Sequence, residues 1–448
     1  MNEPAPGKYT LAGKFLKLFA DVKPGEGPTA LLLAINIFLL LMAYYVLKPV
    51  REGLILGEGS AELKTYMSAF QVVLLAFVVP LYGRLVSQLS RRKLINTVTA
   101  FFVGCLFLFY GLGKAGVHLG IVFFLWIGIF NLMIVAQFWS FANDVYTKDQ
   151  GERLFAIVGF GASLGAVMGS RLVGMFIHKF GIFELMLVGA GLLITQVAIT
   201  NWIDHRERAA TEARKAAAAP KAKAAVHQNA FQMVFKTRYL FLMAIMLLIA
   251  NNVNTTGEYI LGHIVKDAAV EHVGAAGPDA VKNEIAGFYS NYFTYVNIIG
   301  LVMQMFLVSR VVKYFGVRVA ISALPTIAMA AYGIITFAPF LHAVLAAKVA
   351  ENSTDYSLNN TARNMLFLPC TPEQKYSAKQ AIDSFFVRMG DVTSAAIVFV
   401  CTTMFNLHPR GFALINLVMV VAWLLMARRI GKEYNELSKS GHAPEMAR

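Results

Sequence analysis

The sequence predicts an all-α polytopic membrane protein of about twelve transmembrane helices, arranged as two parallel six-helix repeats. Composition is the first reason. Of 448 residues 57% are apolar and 15% charged, with a mean hydropathy of +0.58, whereas an ordinary soluble domain carries roughly 25% charged residues. Spacing is the second: apolar stretches close to the ~20 residues that cross a ~30 Å hydrocarbon core recur along the whole chain. Internal similarity is the third. "GRLVSQLSRR" (83–92) pairs with "SRVVKYFGVR" (309–318), and "DQGERLFAIVGFGASLGAVMGS" (149–170) with "EQKYSAKQAIDSFFVRMGDVTS" (373–394). One offset of about 225 positions serves both pairs, as expected of a chain built from two repeats.

Taken in order, the first six spans fall at roughly 30–48, 66–83, 94–114, 118–142, 154–178 and 183–203, and the second six at roughly 239–262, 287–309, 317–337, 340–362, 378–404 and 410–427. The predicted organisation is a cytoplasmic segment (1–29), an N-terminal bundle (30–204), a basic linker (205–236), a C-terminal bundle (237–428) and a cytoplasmic tail (429–448). The linker "HRERAATEARKAAAAPKAKAAVHQ" is Ala-rich, basic and too poor in apolar surface to form a core. Residues 1–28 lack the short apolar core and cleavage site of a signal peptide, so the first span is expected to direct its own insertion.

The net charge of +14 is explained by topology rather than by nucleic acid. With an even number of spans before the linker, the N-terminal segment, linker, alternate loops and tail share one side, and that side carries most of the 40 Lys and Arg. The positive-inside rule places both termini in the cytoplasm, with a bacterial inner membrane as the expected home. The three cysteines, Cys105, Cys370 and Cys401, are too scattered for a disulfide framework and read as packing residues.

Polar residues inside apolar spans carry the functional information, because a charge at the bilayer centre costs roughly 2.5 to 3.5 kcal/mol on insertion scales. In span ten, Lys348, Glu351, Asn352, Asp355 and Asn359 follow a helical stripe; in span seven, Asn251, Asn254, Thr255 and Glu258 do the same. Span four carries Gln137 and, at its end, Asp144. In span eleven, Lys379 and Asp383 are spaced to pair, and Arg388 and Asp391 are spaced to bridge. Arg171 stands alone in span five, where Gly161, Gly165 and Gly169 recur every four residues and permit close helix approach.

Two six-span repeats joined by a basic linker resemble the major facilitator superfamily. Its loop motif survives as Gly83, Leu85, Arg91 and Arg92, with Ser87 and Ser90 in place of the acid and the second Gly. Three further stretches resemble the nucleotide transporter, or ATP/ADP translocase, family. "YYVLKPVREGLIL" (44–56) places Lys48, Arg51 and Glu52 where that family has a basic residue and a Lys-Asp pair. "FWSFANDVYTKDQGERLFAIVGFGAS" (138–163) places Asp144 at its polar position. "KYSAKQAIDSFFVRMGD" (375–391), extended upstream by "DYSLNNTARNMLFLP" (355–369), aligns Lys379, Asp383 and Arg388. Two positions depart: Asp391 stands where nucleotide exchangers tend to have Lys, and Asn254 where they have an acid.

The resemblance implies a secondary transporter that exchanges nucleotides or a related small phosphorylated anion by alternating access. Together with the polar stripes of spans seven and ten, it makes Lys48, Arg51, Asn254, Glu258, Lys348, Glu351, Asp355, Lys379 and Arg388 candidate substrate contacts, with Glu52, Asp144, Asp383 and Asp391 in coupling or gating. The residues leave open proton-coupled movement of another polar solute, with Glu258, Glu351 or Asp355 as proton site, and a membrane sensor or scaffold that binds without transporting. Enzymatic activity and a cofactor are not expected: the sequence shows no metal-ligand cluster, nucleophile elbow or Walker loop. The expected partners are the anionic solute, protons in the alternative, and the lipid bilayer.

Overall fold

The computed structural model describes residues 21–217, 230–440 and 444. The beginning of the N-terminal segment, the middle of the linker and the end of the tail lie outside the described residues. Within them the chain is helical, with no strand, so most backbone hydrogen bonds of the spans are made inside each helix, as a bilayer demands. The helices are α1 (Gly27–Glu58), α2 (Ala61–Gln88), α3 (Arg91–Lys114), α4 (Gly120–Val145), α5 (Lys148–Phe180), α6 (Glu184–Ala217), α7 (Arg238–Val273), α8 (Pro278–Val302), α9 (Val308–Phe337), α10 (Leu341–Thr354), α11 (Lys379–Phe405) and α12 (Pro409–Ser440).

Ten described segments are long and apolar enough to cross a membrane, and one of them, Pro278–Phe337, is a continuous run of 60 residues. That run holds the predicted eighth and ninth spans. It is broken at Gly316, whose φ of 76° belongs to the left-handed region that a residue without Cβ enters at little cost. α10 is absent from the ten because its charges, Lys348 and Glu351 among them, depress its hydropathy. It continues through a wide π-type turn, Asp355–Asn359, into Asn360–Met365. Two more wide turns, Gln374–Ala378 and Ile382–Phe386, flank the start of α11; such turns open the hydrogen-bond ladder and recur at functional sites.

The chain divides into two compact units. The first comprises the described residues up to Glu58, those from Leu75 to the linker, and Lys282–Thr294; the second comprises Gly59–Leu74, the residues from the linker to Val281, and those from Tyr295 onward. In the first unit α1 is the central helix, packed on α4, α5 and α6. The Gly161, Gly165 and Gly169 face of α5 makes this possible: a Cβ at any of them would collide with the backbone carbonyls of Ala34, Phe38 and Met42 respectively. Phe102, Phe109, Phe123, Trp126 and Phe130 stack between α3 and α4. In the second unit α7 packs on α11 and α12, and α9 on α12 and α10. Gly390 repeats the close approach there, since a Cβ would stand 2.8 Å from the Leu248 carbonyl. Of the tyrosines in α8, Tyr289 and Tyr292 are buried and Tyr295 is exposed.

Candidate functional site

The buried charges of the second unit converge on Lys348. Its side chain is 0% exposed, and α10 presents it toward α7 beside Gly257. Only a residue without a side chain fits there: a Cβ at 257 would lie 2.9 Å from the Lys348 Nζ and inside the Tyr332 hydroxyl. The ammonium donates to Glu351 Oε2 at 3.1 Å and to Asn254 Oδ1 at 3.1 Å, and pairs with Glu258 at 3.7 Å. The Tyr332 hydroxyl lies 3.1 Å from both the Glu351 carboxylate and the Val253 carbonyl. Glu258 accepts from Asn352 at 3.1 Å and pairs with Lys64 of α2 at 3.7 Å. Two ammonium groups and two carboxylates therefore balance one another, with Lys348, Lys64 and Glu351 buried and Glu258 22% exposed.

Helical periodicity brings Lys348, Glu351 and Asn352 to one face, but the stripe does not run straight on. The wide turn at Asp355–Asn359 intervenes, and Asp355 is held by Asn359 at 2.7 Å rather than by Lys348. A cavity of about 50 Å³ lies along this side, lined among others by Asn251, Asn254, Glu351, Asp355, Asn359 and Arg363. It has room for water, for which about 10–15 Å³ of such volume suffices.

On α11 the expected pair between Lys379 and Asp383 does not form. Lys379 instead donates to Asn364 Oδ1 at 2.7 Å and lies over the Phe367 ring. The helix spacing permitted the pair, but an amide arriving from the end of α10 takes the ammonium first. Among the described residues Asp383 Oδ1 has no hydrogen-bond partner. Arg388 and Asp391 do bridge, at 3.5 Å, with Arg388 45% exposed and Asp391 largely buried. Asp391 also accepts from Asn251 at 2.8 Å and Thr255 at 2.7 Å, which ties α11 to α7.

The first unit holds the remaining candidates. Lys48 is buried, its ammonium 4.0 Å from the Phe293 ring centre and 5.2 Å from that of Tyr45, a cation–π setting. Arg51 pairs with Glu52 and lies over Phe124. Asp144 pairs with Arg91 at 3.1 Å, and Arg91 also bonds Asp204; the first of the two surviving basic residues of the loop motif thus joins the start of α3 to the end of α4 and to α6. Arg171 is exposed and forms no ion pair among the described residues. Sequence reading missed Lys64 and Tyr332. Lys64 lies just outside the predicted apolar stretch, and an intramembrane Tyr looks like any aromatic core residue until its hydroxyl is seen to have a carboxylate partner.

Long apolar helices carrying buried, mutually neutralising charges define a secondary transporter. The chain belongs to the Major Facilitator Superfamily, whose family model matches residues 31–350. A second family model, TLC ATP/ADP transporter, matches residues 332–434. ADP,ATP carrier protein 2 of Chlamydia pneumoniae is 22% identical over 87% of this chain and 86% of its own length. ADP,ATP carrier protein 1 of Rickettsia conorii is 22% identical over 98% and 99%. Among solved structures, a mutant of the nucleoside transporter NupG superposes with a TM-score of 0.66 at 12% identity over 90% of this chain and 99% of that one. A POT family transporter superposes with a TM-score of 0.61 at 9% identity over 92% and 97%. These matches bear out the all-α membrane fold and the family resemblance read from the motifs.

Proposed function

We propose that this protein exchanges nucleotides of the ADP and ATP kind, or a closely related phosphorylated anion, by alternating access. The observation that carries this reading is the match of residues 332–434 to the TLC ATP/ADP transporter family, because that segment contains Lys348, Glu351, Asp355, Lys379, Asp383, Arg388 and Asp391. A carrier for such anions must replace the hydration of three or four negative charges with Lys and Arg donors. In the second unit those donors are Lys348, Lys379 and Arg388, and in the first Lys48 and Arg51. A phosphate oxygen approaching Lys348 takes the place of a carboxylate partner, so the site exchanges one anion for another without baring an ammonium to the membrane. Asn254 and Glu258 flank that position, with Glu351 and Asp355 behind it. Glu52, Asp144 and Asp391 hold the cations or helix ends that shift when the site changes sides, and Asp383, which does not pair with Lys379, is assigned to the same gating role.

The same proposal places the protein in a bacterial inner membrane with both termini cytoplasmic, divides it into bundles 30–204 and 237–428, and makes it a carrier rather than an enzyme. The test is exchange in proteoliposomes: preloaded ATP or ADP should leave only when nucleotide is supplied outside. A second reading, proton-coupled transport of another solute, draws on the convergence of Glu258 and Glu351 on one buried ammonium, where a proton taken up by either carboxylate would loosen its hold on Lys348. Uptake driven by a pH gradient without counter-substrate would favour it. Binding without flux would favour a sensor and sink both transport readings.

A further inference from the structure

We propose that Lys64 is a gating residue, coupling anion occupancy at Lys348 to the contact between α2 and α7 through the carboxylate both lysines share, Glu258. Three contacts, all inside the second unit, fasten the first turn of α2 and the bend before it to α7. The Tyr259 hydroxyl donates to Glu62 at 2.8 Å, Lys64 pairs with Glu258 at 3.7 Å, and the Lys266 ammonium donates to the Gly59 carbonyl. The middle contact differs from the other two. Its carboxylate stands equally far, 3.7 Å, from the Lys64 and Lys348 ammonium groups, and both lysines are buried, at 6% and 0% exposure.

A carboxylate midway between two buried ammonium groups is shared, and whatever satisfies one lysine releases it toward the other. An anion that occupies Lys348 therefore hands Glu258 to Lys64 and draws α2 more firmly onto α7. When the anion leaves, Lys348 reclaims Glu258 and the latch loosens. Asn352 donates to Glu258 Oε1, the oxygen that faces Lys348, while Oε2 faces Lys64. Residues 59–74 pack with α7 as part of the second unit, so a change in this one contact shifts the start of α2 against α7 within that unit.

This coupling rests on the nucleotide reading proposed above, and the experiment separates the two. Leu63→Cys, made in a background without Cys105, Cys370 and Cys401, reports opening beside the latch through its rate of maleimide labelling in detergent. Without ligand, Lys64→Ala and Glu258→Gln should each raise that rate about tenfold, and Lys64→Arg should restore it. With ATP or ADP, labelling of the Lys64-containing protein should slow severalfold, while the Lys64→Ala protein should still bind nucleotide, seen as a rise in Tm, without slowing its labelling. A residue that merely packed would leave the nucleotide response of labelling intact. Unchanged ligand-free labelling in Lys64→Ala and Glu258→Gln overturns the latch whatever the substrate is. If nucleotide neither raises Tm nor slows labelling in the Lys64-containing protein, the nucleotide reading and the coupling built on it fall together, leaving the ligand-free rates to decide the latch alone.

Discussion

Replacing Lys348 with Ala removes the cation on which Glu351 and Glu258 converge. Glu258 keeps Lys64 and Asn352, but Glu351 is left in a fully buried position with the Tyr332 hydroxyl. Breaking a buried ion pair by removing one partner costs about 3–5 kcal/mol. At roughly 2–4 °C per kcal/mol for a unit of this size, that is a fall of about 6–20 °C in Tm. Deleting Glu351 as well removes the stranded carboxylate, so Lys348→Ala with Glu351→Ala should be more stable than Lys348→Ala alone and should be present in the membrane in greater amount. The assay is thermal unfolding of purified protein in detergent followed by intrinsic fluorescence, with nucleotide exchange measured on the same preparations. A double variant less stable than the single one, with losses that simply add, would refute the shared-pair account. It would mean that Glu351 does its stabilising work elsewhere than through Lys348.

Gly165→Val places a side chain against the Phe38 carbonyl of α1. Beyond the roughly 1–3 kcal/mol of an ordinary overpacked site, it should separate α1 from α5, so little folded protein should survive gel filtration in detergent, whereas Gly83→Val, with open space around it, should be tolerated. Asp391→Asn keeps a side chain able to accept from Asn251 and Thr255 while removing the charge that holds Arg388. It should tighten nucleotide binding severalfold in a Tm-shift titration, whereas Asp391→Lys should lose the α7 contacts and be destabilised. Outside the spans, burial pushes the Glu26 carboxyl up, but hydrogen bonds from Arg153, the Lys23 backbone and Gln150 outweigh it and hold the group below its usual value. A lowered carboxyl contributes stability above its unfolded value of about 4.5 and loses it as pH falls through the folded value. Glu26→Gln should therefore lower Tm at pH 7, and the gap from the unaltered protein should begin to close only as pH falls below about 4.5.

The sequence by itself determined the class and the order of the helices. Twenty-residue apolar runs have few fates other than spanning a bilayer, and the glycine repeat at 161, 165 and 169 announced a close helix contact because no other residue lets backbones approach so nearly. It also put Lys348 on one stripe with Glu351 and Asp355 and spaced Arg388 to bridge Asp391, relations set within one helix by local spacing. Tertiary structure decided what local spacing cannot. Lys379 and Asp383 had the spacing to pair, yet an amide from Asn364 reached the lysine first. Asp391 proved to be an anchor on α7, and Lys64 entered the charge network from a helix nearly two hundred residues away from its carboxylate in sequence. Periodicity gives the face a side chain occupies on its own helix; which charge waits on the neighbouring helix depends on how the helices pack, and in a medium without water that partner decides whether a charge can be buried at all.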